Sequence, residues 1–174
     1  MPVFLGELPE HSVLKESVLE GISKMPEGEY VGGKSLITKC DYDLPKSFKR
    51  SYSDIIKPYL LKYMLGLAQF AGFSDVQIHN LWFQQYKKDS THTWHIHYGC
   101  QWTNVYYLDF NELNPKTQIL KFMTKEVVDM PVKEGMILTF PSSVIHRAPP
   151  NNHNSTKTII SYNSDFFMDN DNYG

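Results

Sequence analysis

The period of the hydrophobic residues changes once along this chain, near residue 75, and that change limits the folds open to it. Residues 51–71 carry apolar side chains at three- and four-residue steps, the pattern of one helix face. Later residues form short β-branched and aromatic segments, separated by Asn, Pro, Gly and Lys clusters. The spacing between these segments leaves no room for helical crossovers, which disfavours a doubly wound parallel sheet. We therefore predict an α+β, mainly β fold with a sandwich or barrel-like core and helices on one side.

The predicted helix has recognisable ends. Ser53 or Asp54 could cap its start, and Gly72 could end it. Pro58 lies early in the segment, so we expect the regular helix to begin close to it. Six or seven strands should follow, in VQIHNLWFQQY, WHIHYG, TNVYYLDF, QILKFMTKEVVDMPV, MILTFP and TIISYNSDFF.

Length and composition predict one globular domain over residues 1–174, large enough to bury a core. Within it, residues 1–75 should form N-terminal wrapping and helices, and residues 76–168 the β core. The N-terminal part should hold a short helix plus irregular wrapping. Hydrophobic residues make up 41% and charged residues 21%, as in ordinary soluble proteins rather than disordered ones.

Charge and targeting signals argue against several functional classes. A formal net charge of -2 favours neither a broad nucleic-acid-binding surface nor binding to an anionic membrane. The N-terminus MPVFLGELPEHS lacks the basic charge of a signal peptide, so a cytoplasmic location is expected. Cys40 and Cys100 form no CxxC pair and are predicted to be reduced thiols.

The stretch THTWHIHYG holds three of the chain's seven histidines. Along a strand, residues two apart point to the same face, so His95 and His97 should project together. Trp94 and Ile96 should then face the other way, into packing. Two neutral imidazoles on one face can ligate one cation, and imidazole suits Fe, Zn, Cu and Ni.

A third ligand must come from another part of the chain. His146 is the best candidate, because it lies in a second ordered segment, GMILTFPSSVIHRAPPNN. Gly135 should form the turn that starts an apolar strand there, and Pro141 should end that strand. The remaining histidines are more typical of surface or hydrogen-bonded core positions: His11, His79, His92 and His153.

Both histidine segments resemble the iron(II)- and 2-oxoglutarate-dependent oxygenases, most of all a small phage and bacterial group of them. That group has H-x-H-P, a W-S-G-V-Y-Y strand, then G-x-x-x-x-F-P-S-x-x-x-H and finally R-I-S-I-x-F-N. The matching pieces here are His95 to Tyr98, Trp102 to Tyr107, Gly135 to His146, and Lys157 to Asn163. The likeness covers roughly residues 80 to 166, in the same order and spacing as the group's motifs.

The resemblance implies a double-stranded β-helix, or jelly roll, that binds Fe(II) and 2-oxoglutarate and uses dioxygen to hydroxylate a substrate. His95, His97 and His146 fall at the three metal-ligand positions. His97 stands where most of the superfamily has Asp or Glu, the usual set being two histidines and one carboxylate. Three neutral ligands would leave the iron with more net positive charge.

The resemblance also implies a cation for the far carboxylate of 2-oxoglutarate, commonly an arginine on the strand after the distal histidine. Lys157 occupies that position here, and it can neutralise a carboxylate as a point charge. Lys121 and then Arg147 are the alternatives. Tyr86 falls where a tyrosine often hydrogen-bonds the cosubstrate. Gln101 and Asn104 are close in sequence to the metal ligands and could orient the imidazoles.

Three other functions share much of this pattern. A cupin-type dioxygenase has His-x-His followed by Glu, but Cys100 and Gln101 stand there instead. A non-catalytic jelly-roll module that binds metal or a partner would account for the missing carboxylate. A zinc hydrolase would use three histidines, yet no carboxylate is obviously placed as its general base.

Overall fold

The computed structural model describes residues 2–168. Two helices and twelve strands lie within that part: β1 Phe4–Glu7, α1 His11–Ser23, β2 Tyr30–Gly32, β3 Ser35–Ile37, β4 Lys39–Cys40, α2 Ser51–Phe70, β5 Asp75–Tyr86, β6 His92–His95, β7 Trp102–Asp109, β8 Gln118–Lys121, β9 Glu126–Asp129, β10 Met136–Pro141, β11 His146–Ala148 and β12 Lys157–Phe167.

The strands form two antiparallel sheets that face each other, as the jelly-roll prediction requires. The larger sheet has the order β1-β10-β7-β12-β5-β4, and the smaller has the order β6-β11-β8-β9. A separate β2–β3 ribbon precedes them. The predicted fold class, a mainly β protein with a double-stranded β-helix core, is confirmed. The division into one domain with a core at residues 76–168 stays a prediction.

Alternation along the central strands creates two hydrophobic cores. On β7, Tyr106 and Leu108 face the helices, whereas Val105 and Tyr107 face the space between the sheets. Leu138 and Phe140 of β10 also pack between the sheets, against residues of the smaller sheet. The helices thus cover the outer face of the larger sheet and leave its inner face for the site.

Helix α2 occupies the predicted segment, but its start was predicted wrongly. It begins at Ser51, so Pro58 lies inside the helix rather than at its start, and no side chain caps its first turn. The proline is tolerated because it lies on the exposed face, and the buried face supplies the packing energy. Phe70 is 82% exposed, contrary to its place on the predicted apolar face. Gly72 does end the helix, with φ +88°.

The two helices approach closely at one glycine. A Cβ on Gly21 of α1 would lie 2.9 Å from the Cα of Tyr52 in α2, closer than such atoms can pack. Gly135 was predicted to form a turn before β10, and its φ of +82° confirms this. No helix within residues 2–168 is long and apolar enough to cross a membrane.

The N-terminal region is more regular than predicted. Besides α1, it contributes four short strands, of which β1 and β4 lie at the two edges of the larger sheet. These strands are only two to four residues long, too short for a hydrophobic period to show in the sequence. Their pairing with distant strands provides the stability that local propensity does not.

Candidate metal centre

Three histidine side chains converge between the two sheets. Each of His95, His97 and His146 offers a nitrogen atom, and these atoms lie within 4.8 Å of one another. His95 ends β6, and His146 is its register partner at the start of β11. His97 lies just beyond β6, where its backbone N–H donates to the carbonyl of Ser142 at 3.0 Å. The structure therefore brings together the three predicted residues, although only one of the His-x-His pair lies in a strand.

Hydrogen bonds select the same tautomer in all three histidines. Nδ1 of His95 lies 2.7 Å from the carbonyl oxygen of Thr93, and Nδ1 of His146 lies 2.9 Å from that of Val144. Nδ1 of His97 lies 2.7 Å from Asn163 Oδ1. Because a carbonyl oxygen only accepts, each Nδ1 carries the proton and each Nε2 keeps its lone pair. Such bonds hold metal-ligating histidines in position in proteins.

Burial keeps these imidazoles neutral. It lowers the pKa of His95 to about 4, with a smaller contribution from the nearby His97. Burial likewise lowers the pKa of His97, and it holds that of His146 well below its ordinary value. Near neutral pH all three rings are therefore available as ligands rather than as cations.

His92 lies beside the triad, although its position in the sequence suggested an ordinary structural role. Its ring stacks on that of His95, with centroids 3.8 Å apart. Burial lowers its pKa to about 3. His92 lies outside the set of converging ligand atoms, and it forms a wall of the site.

The residue that orients His97 was missed in the sequence. Gln101 and Asn104 were the candidates, but neither contacts a histidine of the triad. Asn104 bonds to Ser164 and Thr139, and Gln101 accepts the N–H of Phe166. Asn163 has the orienting role instead, and its place on the inner face of β12 could have indicated it.

Trp94 was expected to pack inside, opposite the histidines. It does face away from them, but it is 36% exposed. The guanidinium carbon of Arg147 lies over the Trp94 ring, 4.5 Å from the ring centroid. Arg147 also donates to Gln118 at 2.7 Å, so this third-ranked candidate for the cosubstrate cation already has partners. Lys121 is exposed and paired with Glu126 on the β8–β9 hairpin.

Lys157 is the most unusual charged residue of the core. It is fully buried, and Nζ donates to the carbonyl of Pro115 at 2.8 Å. Nζ also lies 5.2 Å from the ring centroid of Tyr86. Among the described residues no carboxylate pairs with it, and burial lowers its pKa to about 7. A buried ammonium without an anion is costly unless a ligand supplies one.

A small cavity of about 30 Å³ lies behind the triad, between the sheets. Tyr86 lines it and is 1% exposed, which places the predicted cosubstrate-binding tyrosine between the triad and Lys157. Thr103 lines it too, and its hydroxyl is buried with no hydrogen-bond partner among residues 2–168. Buried hydroxyl groups are normally satisfied, so this one indicates a missing polar partner.

A larger cleft of about 270 Å³ opens in front of the triad. Tyr42 lies at its rim, held by a neighbour that the sequence did not single out. Asp41 is 1% exposed and accepts from Arg50 Nε, from the Tyr52 hydroxyl and from the N–H of Phe83, at 2.7, 2.7 and 2.9 Å. This buried carboxylate fixes the segment before α2 against the edge of β5.

No protein-family model matches the sequence, and no curated protein matches it. Solved structures do resemble it closely in shape. AviO1 from Streptomyces viridochromogenes Tue57 superposes with a TM-score of 0.66 at 12% identity, over 92% of this chain and 89% of that one. A 2OG-Fe(II) oxygenase family oxidoreductase from Burkholderia pseudomallei gives 0.67 at 12% identity, over 86% and 77%. A Pseudomonas putida prolyl-4-hydroxylase gives 0.62 at 12% identity, over 96% and 92%. The chain therefore has the double-stranded β-helix fold of the iron(II)- and 2-oxoglutarate-dependent oxygenases.

Proposed function

We propose that the protein is an Fe(II)- and 2-oxoglutarate-dependent oxygenase of the hydroxylase type, with iron held by His95, His97 and His146. One observation carries this proposal: three neutral imidazoles, one buried and two half-buried, direct unprotonated Nε2 atoms towards a common point. Imidazole ligands suit iron, and three of them leave further coordination positions open. Among proteins of this fold, the epimerase SnoN is known in complex with Fe3+, alpha ketoglutarate and nogalamycin RO.

The residues behind the triad fit 2-oxoglutarate. The Lys157 amine is fully buried and has no carboxylate partner among the described residues, and the Thr103 hydroxyl is buried without a hydrogen-bond partner there. A dicarboxylate could satisfy both, its far carboxylate at Lys157 and its near end close to Thr103 and the metal. The present cavity has room for one or two water molecules, roughly. Binding therefore requires the side chains around Tyr86 to move apart.

When bound, the iron would supply oxidation of a C–H bond by dioxygen, coupled to decarboxylation of 2-oxoglutarate to succinate and carbon dioxide. The chain's own residues would bind and orient the metal and the cosubstrate, and they would exclude water from the site. Asn163 and the carbonyls of Thr93 and Val144 hold the imidazoles in one tautomer. The packed core between the sheets keeps water from the cosubstrate end of the site.

His97 in place of a carboxylate changes the charge of the centre. Three neutral imidazoles leave both positive charges of Fe(II) to be balanced by the cosubstrate. A doubly charged 2-oxoglutarate would balance them only in part, because Lys157 takes up one of its carboxylates. We therefore infer that the iron is more electrophilic here than at a centre with a carboxylate ligand.

The proposed partners are 2-oxoglutarate and dioxygen, together with a primary substrate, and the proposed location is the cytoplasm. A cupin-type dioxygenase, a zinc hydrolase and an inert metal-binding module share the triad but have no use for a buried cation at Lys157. Binding of 2-oxoglutarate next to the metal separates our proposal from all three.

The test is an anaerobic titration of the protein with Fe(II) and then 2-oxoglutarate. We expect the visible metal-to-ligand charge-transfer band of a chelated 2-oxo acid to appear, and His146→Ala to abolish it. His153→Ala is the matched control, since that histidine lies outside the cluster. A protein that binds Fe(II) but never gives the band is a cupin-like or inert module. A His146→Ala variant that keeps the band contradicts the metal assignment.

A further inference from the structure

The cleft in front of the triad is uncharged and lined by aromatic rings. None of the residues around it is Asp, Glu, Lys or Arg. Six rings form a closed circuit, with centroid separations of 5.8 Å for His97 and Trp82, 5.1 Å for Trp82 and Tyr42, 6.2 Å for Tyr42 and Tyr30, 5.7 Å for Tyr30 and His92, 3.8 Å for His92 and His95, and 5.4 Å for His95 and His97. Such walls favour a ring-containing group and give an anionic group no cationic partner.

A second groove of about 390 Å³ adjoins this cleft. Tyr42, Asn80 and Trp82 line both, so the groove begins where the cleft ends, and we refer to the two together as the path. The side chain of Asn80 makes no hydrogen bond within the described residues, which leaves its amide free for a ligand. A molecule larger than the cleft can therefore extend along the groove while its inner part stays at the metal.

Two of the four charged side chains that line the second groove neutralise each other. Arg50 and Asp41 pair with each other, and the remaining guanidinium N–H groups donate to carbonyls of the segment before α2. His79 pairs with Asp165 at 2.7 Å. These four side chains already have partners within the protein.

Lys46 and Lys57 are the remaining charged residues that line the groove. Both are exposed, and neither forms an ion pair within residues 2–168. The far end of the path is therefore positive, although the whole chain carries a formal net charge of -2. Unpaired cations at one end of an otherwise uncharged groove favour a ligand with its negative charge at that end.

We propose that the substrate is a small molecule in which an uncharged, ring-containing part is joined to an anionic group. The ring-containing part lies in the aromatic cleft against the triad, and the carboxylate, phosphate or sulfonate lies at Lys46 and Lys57. That this ligand is the substrate rests on the proposed oxygenase function. The division of the path into an uncharged end and a positive end does not depend on the oxygenase function.

A matched pair of fluorescent dyes tests the division without iron or 2-oxoglutarate. 8-Anilino-1-naphthalenesulfonate and N-phenyl-1-naphthylamine share the same rings, and only the first carries a sulfonate. We expect the metal-free full chain to bind the sulfonate dye more tightly, by about three- to tenfold, the range for two exposed charge contacts.

Three variants locate the binding. The double variant Lys46→Gln/Lys57→Gln should lower the affinity for the sulfonate dye to that for the neutral dye, and leave the neutral dye unaffected. Tyr42→Ala should weaken both dyes, and because Tyr42 is 54% exposed, it should not disturb folding. The double variant Lys116→Gln/Lys133→Gln is the control, since it removes the same charge from exposed lysines outside the path.

Equal affinities of the parent for the two dyes would overturn the proposal. So would an effect of the control variant as large as that of Lys46→Gln/Lys57→Gln, or dye binding that Tyr42→Ala leaves unchanged. The dye results do not depend on the charge-transfer band. The band can therefore fail while the dyes behave as expected, and the oxygenase proposal alone would then be wrong.

Discussion

The two ends of the inner face of β12 differ in their charge and in their access to solvent. At one end Asn163 accepts a hydrogen bond from His97, beside a cleft that no Asp, Glu, Lys or Arg lines. At the other end the Lys157 amine is fully buried, where it donates to the carbonyl of Pro115 and lies near three aromatic rings. Asn163 thus helps to form an uncharged site that suits a metal cation. Lys157, when protonated, provides a positive charge that suits a carboxylate.

The difference suggests how one barrel can bind a metal at one end and the carboxylate of a cosubstrate at the other. Imidazoles that have lost their proton bind a metal, and burial is what removes the proton. The same burial makes an ammonium unfavourable until a carboxylate joins it. Burial therefore favours ligand binding at both ends. At the histidine end it keeps the imidazoles neutral for a metal, and at the lysine end it makes the ammonium depend on a carboxylate partner.

The largest expected effect comes from removing the charge at the lysine end. Lys157→Ala should weaken 2-oxoglutarate binding by about 2 kcal/mol or more, roughly 30-fold, the cost of losing one partner of a buried charge pair. Fe(II) affinity should stay the same, because the triad is untouched. Anaerobic calorimetric titrations of both ligands measure this. Lys121→Ala is the control, and a loss in that variant instead would move the carboxylate site to β8.

A smaller effect should follow at the histidine end. Asn163→Ala removes the acceptor for His97 Nδ1 and should lower Fe(II) affinity roughly 10-fold, the lower end of the range for residues that orient metal ligands. Asn163→Asp keeps an acceptor and should restore the affinity. A competition assay with a fluorescent chelator measures both variants. If the alanine variant binds iron like the parent, Asn163 does not orient the ligand.

The third prediction concerns stability without ligands. The pKa of Lys157 is about 7 in the folded protein and near 10.5 in the unfolded chain. Between those values the unfolded chain binds more protons, so the free energy of unfolding rises with pH. Lys157→Met should remove this dependence and stabilise the apoprotein most at pH 7 and below. Each 1 kcal/mol gained is about 2–4 °C in Tm for a chain of this size.

Thermal melts of the metal-free proteins at several pH values test this stability prediction. The difference in Tm between Lys157→Met and the parent should shrink as the pH approaches 10. A constant difference would mean that packing, rather than the buried charge, is responsible.

Features that depend on local pattern could be predicted from the sequence. The change of period near residue 75 indicated the order of helix and strands, and the ordered motifs indicated His95, His97 and His146. Residues two apart on β12, such as Lys157 and Ile159, share its inner face, but residues on both faces of this strand are buried, so alternation alone did not predict that Lys157 is buried.

Features that depend on contacts between residues far apart in the chain could not be predicted from the sequence. Asp41 stabilises its segment through bonds to Arg50, Tyr52 and Phe83, and nothing in the local sequence marks that carboxylate as buried. Pro58 is a helix breaker by propensity, yet tertiary packing keeps it within α2. The assignment to a small phage and bacterial group and the cytoplasmic location stay predictions.

Iron K-edge X-ray absorption of the anaerobic Fe(II)-loaded protein tests the central claim most directly. The account predicts the outer-shell scattering of three imidazole rings and no carboxylate from the protein. Scattering from two imidazoles or fewer would show that His95, His97 and His146 do not act together as ligands, and the proposed oxygenase site would be wrong.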